Sequence, residues 1–493
     1  MSEQAGFSGF RVARVVALFF VFLVFIVPVY GSEIRGAVLP PEVQKILQKY
    51  GIPSKSLSVY IHGVDDEQPI LAWQADTPRN PASTIKLLTT LVALEELGPA
   101  YRWKTEFFTS APVQRGLMDG DVYFKGYGDP FLVTEYLWRM VRDIRRKGLQ
   151  HITGDLVLDG SYFETEGVDP ALFDGQPYRS YNVSPGALLL NFQSVFFSFQ
   201  PDVNSGRIAI TADPAPGLSI QNKIQLKSGR CGAWSKRIKL DVIQDERQQI
   251  ARFTGRYAGS CGNKGFYRAI GDAEKYFYEV FKNLWLQQRG YFNGDLTSGG
   301  IEGVNTPYYV RESLPLSDIL RLINKYSNNV MARQLLLTLG AEREGVPGTT
   351  EKGLRVIHDW LQRKGKVFPE LVLENGAGLS RRVRISAQHL GELLRDAYRS
   401  PFMPEFISSL PIAALDGTLR KRFKGSPLQG RLHLKTGLLD DVRAMAGYFI
   451  DPHGKRWVVV SLHNHARAPG RAGEAVQEAL LAWLQKQSSQ NSL

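Results

Sequence analysis

The sequence predicts a mixed α/β (α+β) fold in which one domain is split by a long β-rich insertion. Three observations support this. Helix and strand patterning over the first hundred residues gives way at about Lys104 to short strand-like runs between Gly, Asp and Pro turns, a texture that continues to about Tyr267. Helical patterning returns at about Leu316. The chain then closes as strand, strand, turn, strand and helix. An early helix and late strands share one core only if the stretch between them is inserted. The expected division is 1–31 as an export signal, 32–104 with 297–493 as the discontinuous domain, and 105–296 as the insertion, made of two small subdomains.

Each element has a local reason. Residues 39–50 (LPPEVQKILQKY) form a helix opened by proline and stopped at Gly51-Ile52-Pro53. Leu57–Ile61 and Pro69–Gln74 form two strands joined by a turn at Asp65-Asp66. The stretch NPASTIKLL (80–88) starts a helix that runs to the stop Gly98-Pro99, with Ile85, Leu88, Leu91 and Val92 at helical spacing. Val122–Lys125 and Gly154–Asp159 read as strands, and Ala273–Gln288 as a helix. Leu316–Ile323 and Val330–Leu339 are helical on either side of a break at 324–329, and helices follow at 350–363 and 386–398. Strands are expected at 432–437, 444–450 and 456–462, then a helix from Glu474 to Gln485 and a tail without regular structure. The glycine-rich TSGGIEG (297–303) has no P-loop lysine and reads as a linker back into the first domain.

Bulk composition narrows the class. The chain has 493 residues, 43% apolar and 22% charged, an ordinary globular balance. A net charge of +12 draws it to anionic surfaces, including a membrane surface at its periphery. There is no run of five Lys/Arg, no zinc finger and no RNA-binding signature, so nucleic acid is not expected as a partner. Arg11 and Arg14 precede the uncharged run Val15–Val29, and Val29-Tyr30-Gly31 offers a cut before Ser32. The run is short for a spanning helix, although an uncleaved anchor is the alternative. In the oxidising compartment that export implies, Cys231 and Cys261 read as one disulfide. His463 and His465 share a strand face, but no third ligand accompanies them, so no metal and no cofactor is expected.

Three motifs carry chemistry. Ser83 and Lys86 lie three apart on a helix, hence on one face, where an amine can take the hydroxyl's proton. Ser327-Asn328-Asn329 lies in a break between helices, where side chains can enter a cleft; Ser180-x-Asn182 and Ser489-x-Asn491 share the spacing but lie in the insertion and the tail. Lys435-Thr436-Gly437 ends a strand, where a lysine and a hydroxyl can hold a carboxylate and glycine lets a substrate backbone lie close. Each is common alone. In this order and setting they are the signature set of penicillin-interacting serine enzymes.

On these residues the chain resembles the D-alanyl-D-alanine carboxypeptidase/endopeptidase family, the low-molecular-mass class C penicillin-binding proteins. The resemblance covers most of 33–485 and includes GDVYFKGYGDP (120–130), ITGDLVLDGSYF (152–163), YNVSPGALLLN (181–191), INKYSNNVMARQLLLTLG (323–340), ENGAGLSR (374–381), LDGTLRKRF (415–423) and LKTGLLDDVRAMAGY (434–448). The roughly 240 residues between Ser83 and Ser327 match the family's large insertion. Tyr127 and Ala377 depart from a family glycine and serine.

The resemblance implies the penicillin-binding, serine β-lactamase-like transpeptidase fold, an antiparallel five-stranded sheet with a helical cluster. It also implies a periplasmic enzyme acting on peptidoglycan stem peptides. Ser83 would be acylated by the penultimate D-alanine, Lys86 would be its base, and Ser327 would pass a proton to the leaving amine. Asn329 would bind the acyl-side amide, and Lys435, Thr436 and Gly437 the carboxylate end. The N–H groups of Ser83 and Leu438 would form the oxyanion hole. β-Lactams would be inhibitors. Arg381 and Arg422 are candidates for substrate contact. Two alternatives stay open: a serine β-lactamase of the same fold, and a non-catalytic cell-wall-binding scaffold. The sequence assigns no oligomeric state.

Overall fold

The computed structural model describes residues 38–490 except 166, 168, 245–248, 302 and 304. The stretch read as an export signal lies outside the described residues.

Five antiparallel strands form the central sheet in the order Leu432–Leu439, Val442–Ile450, Arg456–Asn464, Leu57–Gly63, Leu71–Trp73. The first and last parts of the chain thus share one sheet, with Leu57 opposite His463. Leu57–Gly63 is buried along its whole length because helices cover both faces of the sheet. One face packs against Pro41–Lys49 and the terminal helix Arg471–Gln490 through Val43, Leu47, Val476 and Leu480. That last helix runs on to Gln490, through the tail expected to lack structure.

The other face carries a helical cluster centred on Lys86–Leu97. This helix is buried on every side from Lys86 to Leu94, so it lies inside the cluster rather than on its surface. Around it pack Leu316–Tyr326, Asn329–Glu344, Thr350–Arg363 and Ala387–Arg399.

Between these halves, a second five-stranded sheet runs Leu296–Ser298, Leu156–Asp159, Val122–Gly126, Lys104–Thr109, Tyr309–Glu312. Leu296–Ser298 straddles residue 296, where the expectation ended the insertion, and Tyr309–Glu312 lies beyond it. Thr297 and Ser298 pair with Val157 and Leu158 instead of starting a linker. Two three-stranded sheets follow, built from 194–269. One apolar cluster, including Phe124, Phe197, Phe253, Phe277 and Trp285, runs through these sheets and two helices. One helix, Thr134–Arg146, was not anticipated within the β-rich texture, yet Leu137, Met140, Val141 and Ile144 mark its buried face.

Cys231 and Cys261 form the expected disulfide. At a sequence separation of 30, it stabilises by about 3–4 kcal/mol through the unfolded chain. The double Cys→Ser variant should lose that amount in denaturant unfolding. A loss below ~1 kcal/mol would mean that the 231–261 segment is already constrained without it.

Candidate active site

The nucleophile candidate sits on a pinned turn. Ser83 belongs to the 3-10 turn Ala82–Ile85 that leads into helix Lys86–Leu97. Ala82 adopts φ +46°, a left-handed conformation that costs a non-glycine residue about 1–3 kcal/mol. Asn80 holds the approach to this turn. Its backbone N–H donates to Asn464 Oδ1 at 2.7 Å, its Oδ1 accepts from Ala82 N–H at 2.8 Å, and its Nδ2 donates to Ser380 O at 2.9 Å. The strand 432–439 lies close against the turn, and a Cβ at Gly437 would come within 2.7 Å of Pro81 O and 3.1 Å of Ser83 N. Glycine is therefore the residue this approach admits.

Lys86 is fully buried, and its Nζ has three neighbours: Ser83 Oγ at 3.0 Å, Asn329 Oδ1 at 2.7 Å and the carbonyl of Ala377. A neutral amine has two N–H donors and one lone pair. Asn329 Oδ1 and Ala377 O can only accept, so they take the two N–H groups, and the lone pair is left for the Ser83 hydroxyl. Burial, then the charges of Lys435 and Arg333, hold the Lys86 pKa well below the usual lysine range. No carboxylate ion-pairs with it among the described residues. Because position 377 contributes a backbone carbonyl, alanine there serves as well as the family's serine.

The second motif follows a helix stop. Ser327 caps Leu316–Tyr326 in a left-handed conformation, φ +58°. Asn328, not Asn329, caps the next helix, accepting from Met331 N–H at 3.1 Å. That leaves the Asn329 side chain for the cleft, with Oδ1 accepting from Lys86 and Nδ2 without a partner among the described residues. Lys435, also fully buried, donates to Ser327 Oγ at 2.7 Å and to its neighbour's carbonyl, Thr436 O, at 2.8 Å. Burial lowers its pKa to about 7. Thr436 Oγ1 lies 2.8 Å from Thr418 Oγ1, and Leu438 is exposed on the same strand.

The structure thus brings Ser83, Lys86, Ser327, Asn329, Lys435, Thr436, Gly437 and Leu438 to one place. A cleft of about 1630 Å³ opens from Ser83, Ser327 and Asn329 toward Phe131, Tyr136 and Phe192 of the middle segment. Arg381 lines it, donating to Phe173 O at 2.9 Å. Arg422 is elsewhere: it donates to Gln477 Oε1 on the terminal helix at 2.9 Å. Glu374 is engaged by the Ser380 hydroxyl and by Arg382. His463 is buried in the sheet, where desolvation and then His465, Arg79 and Arg443 bring its pKa to about 4.

Sequence reasoning gave no role to two residues at this site. Arg333, one turn after Asn329, donates to the carbonyls of Tyr181 and Val183 at 2.8 Å and adds positive charge near Lys86. Thr418 reaches Thr436 from a separate loop. Neither carries a local signal beyond helix spacing or a family-like stretch.

Sheet order, helical cluster and cleft define the penicillin-binding-protein fold. The crystal structure of penicillin binding protein 4 (dacB) from Haemophilus influenzae superposes with a TM-score of 0.75 at 22% identity, covering 90% of this chain and 99% of that one. A predatory endopeptidase from Bdellovibrio bacteriovorus gives 0.51 at 17% identity, covering 87% and 92%. The profile of the D-Ala-D-Ala carboxypeptidase 3 (S13) family matches residues 39–487, and the chain belongs to that family. It is 30% identical over 413 residues to the D-alanyl-D-alanine carboxypeptidase of Actinomadura sp. (strain R39), covering 81% of this chain and 76% of the relative. The chain is a serine-type D-Ala-D-Ala carboxypeptidase.

Proposed function

We propose that Ser83 is the nucleophile of a DD-peptidase acting on peptidoglycan stem peptides. It removes terminal D-alanine, cleaves D-Ala–diamino acid cross-links, or does both. The observation that carries this reading is the set of three partners at Lys86 Nζ, which leaves its lone pair for Ser83 Oγ–H. Lys86 takes the proton as Oγ bonds to the carbonyl carbon, and the Ser83 and Leu438 N–H groups hold the oxyanion. As the C–N bond breaks, the leaving amine receives a proton through the Ser327 hydroxyl, which Lys435 orients. Asn329 Nδ2 holds the acyl-side carbonyl. Lys435 and Thr436 take the terminal carboxylate. Water then hydrolyses the ester, and the proton it loses replaces the one delivered to the amine.

Relatives named for penicillin binding support β-lactams as covalent inhibitors at the same serine. The family and the cysteine pairing support the periplasm as the site of action, reached through the 1–31 signal. No helix among the described residues is long and apolar enough to cross a membrane. The strand pairings support an insertion that starts at about Lys104 and returns the chain to the catalytic domain after Glu312.

Intact mass after incubation with benzylpenicillin tests the assignment. A stable adduct of one penicillin on the Ser83 peptide is expected, absent in Ser83→Ala. Penicillin consumed without an adduct would indicate a β-lactamase. Neither adduct nor consumption would indicate a non-catalytic binding protein.

A further inference from the structure

We infer that Thr418 is a second hydroxyl in the site for the substrate's C-terminal carboxylate, held beside Thr436 by a loop tethered through the ion pair of Asp416 with the buried Lys325. The inference rests on the DD-peptidase reading above and adds a specificity-determining residue to it.

A carboxylate presents two oxygens and about four lone-pair sites, so one hydroxyl and one ammonium leave it partly unsatisfied. On strand 432–439, half-buried Thr436 offers a hydroxyl beside Lys435, and exposed Leu438 offers none from its side chain. Thr418 Oγ1 lies 2.8 Å from Thr436 Oγ1 and is itself exposed. Two hydroxyls at that distance bond to each other while the site is free. Each can turn its proton to an arriving carboxylate oxygen, because a hydroxyl rotates without moving the backbone. Exposed Arg420 and Lys421 follow on the same loop, and neither forms an ion pair among the described residues; they add a field that favours an anion.

The loop is built to hold this hydroxyl in place. Lys325, two residues before Ser327, is buried, and its ammonium reaches Asp416 Oδ2 at 2.6 Å and Leu410 O at 2.8 Å. The other oxygen of Asp416 accepts from Ile412 N–H at 2.8 Å. Gly417 adopts φ +55°, and a Cβ there would stand 2.6 Å from Lys325 O, so the loop lies against the end of the helix that leads to Ser327. Thr418 is therefore fixed relative to Ser327 and Thr436 together. Thr436 adjoins Lys435, whose ammonium donates to Ser327 Oγ, the group assigned to protonate the leaving amine, so the Thr418–Thr436 pair reads the group that departs rather than the acyl chain.

The test uses the full mature chain and two substrates with the same acyl part. One ends in D-Ala-D-Ala with a free carboxylate; the other is the D-Ala thioester, whose leaving group carries no carboxylate. For Thr418→Val, the ratio of kcat/KM for the peptide to kcat/KM for the thioester should fall about tenfold, mainly through KM of the peptide. Thr418→Ser should restore the ratio to within about twofold, because it returns the hydroxyl. A ratio unchanged in Thr418→Val, whether both activities hold or both fall together, would overturn the inference and leave Thr418 a loop-packing residue. A Thr418→Ser variant that behaves like valine would overturn it as well. Wild-type protein that turns over neither substrate would instead bring down the DD-peptidase reading, and the inference with it.

Discussion

Lys86→Met is expected to slow acylation by penicillin about 10²–10⁴-fold, the range that a positioned base supplies, and at the same time to make the protein more stable at neutral pH. Both effects come from one buried nitrogen. In the unfolded chain the amine keeps its proton up to its ordinary pKa of 10.5. In the folded chain, burial and the charges of Lys435 and Arg333 drive the proton off well below that. Between these limits the unfolded chain binds more protons, so wild-type stability rises with pH through that window. Methionine fills similar space without the penalty. The stability gain should be largest near neutrality and fade as the pH approaches 10.5. Acylation rates together with denaturant midpoints at several pH values check it. A variant no more stable than wild type at pH 7 would show that Lys86 keeps its proton when folded, which would remove it as the base.

Lys435→Met should lower kcat/KM on carboxylate-terminated peptides by about 10–100-fold, the worth of a hydrogen bond to a charged group. Two losses contribute. The carboxylate loses its cation, and the Ser327 hydroxyl loses the donor 2.7 Å away that orients it. The same change moves the pH profile. The Lys435 charge is the first electrostatic contribution that lowers the Lys86 pKa, after burial itself. Without it Lys86 holds its proton to a higher pH. The acidic limb of kcat/KM, which reports the free enzyme, should therefore move toward alkaline pH. An acidic limb that stays put would separate the two lysines electrostatically and contradict their placement in one site.

Much of this is legible in the sequence. Ser83 and Lys86 announce themselves because helix geometry places i and i+3 on one face, and Lys435-Thr436-Gly437 because a strand end can present all three at once. The left-handed stop at Ser327 could be read as a break between two apolar periodicities. Thr134–Arg146 was missed because Tyr, Trp and Val suit strands as well as helices, and the flanking turns favoured a β reading. The cap of the next helix falls to Asn328, which frees Asn329 for Lys86. Thr418 and Arg333 were out of reach for a different reason. Their roles depend on contacts between segments distant in sequence, and no periodicity encodes which loop will lie against which strand.

The pairing of Val59 with both Trp73 and Ser461 also sets an order of events during biosynthesis. The central strand Leu57–Gly63 emerges early but must wait roughly 400 residues for the neighbour that completes the sheet. The sheet carrying Lys104–Thr109 closes once Glu312 has been made, about 150 residues sooner than His463. Until the last three strands arrive, Lys435 and Thr436 do not exist beside Ser83. A chain stopped at Asp451 would lack Arg456–Asn464, the strand that joins the two halves of the sheet, and would present Ser83 on a turn with nothing across from it. Hydrolytic competence is thus withheld until translation is nearly finished, and a prematurely ended copy has no means of cutting the polymer it would meet.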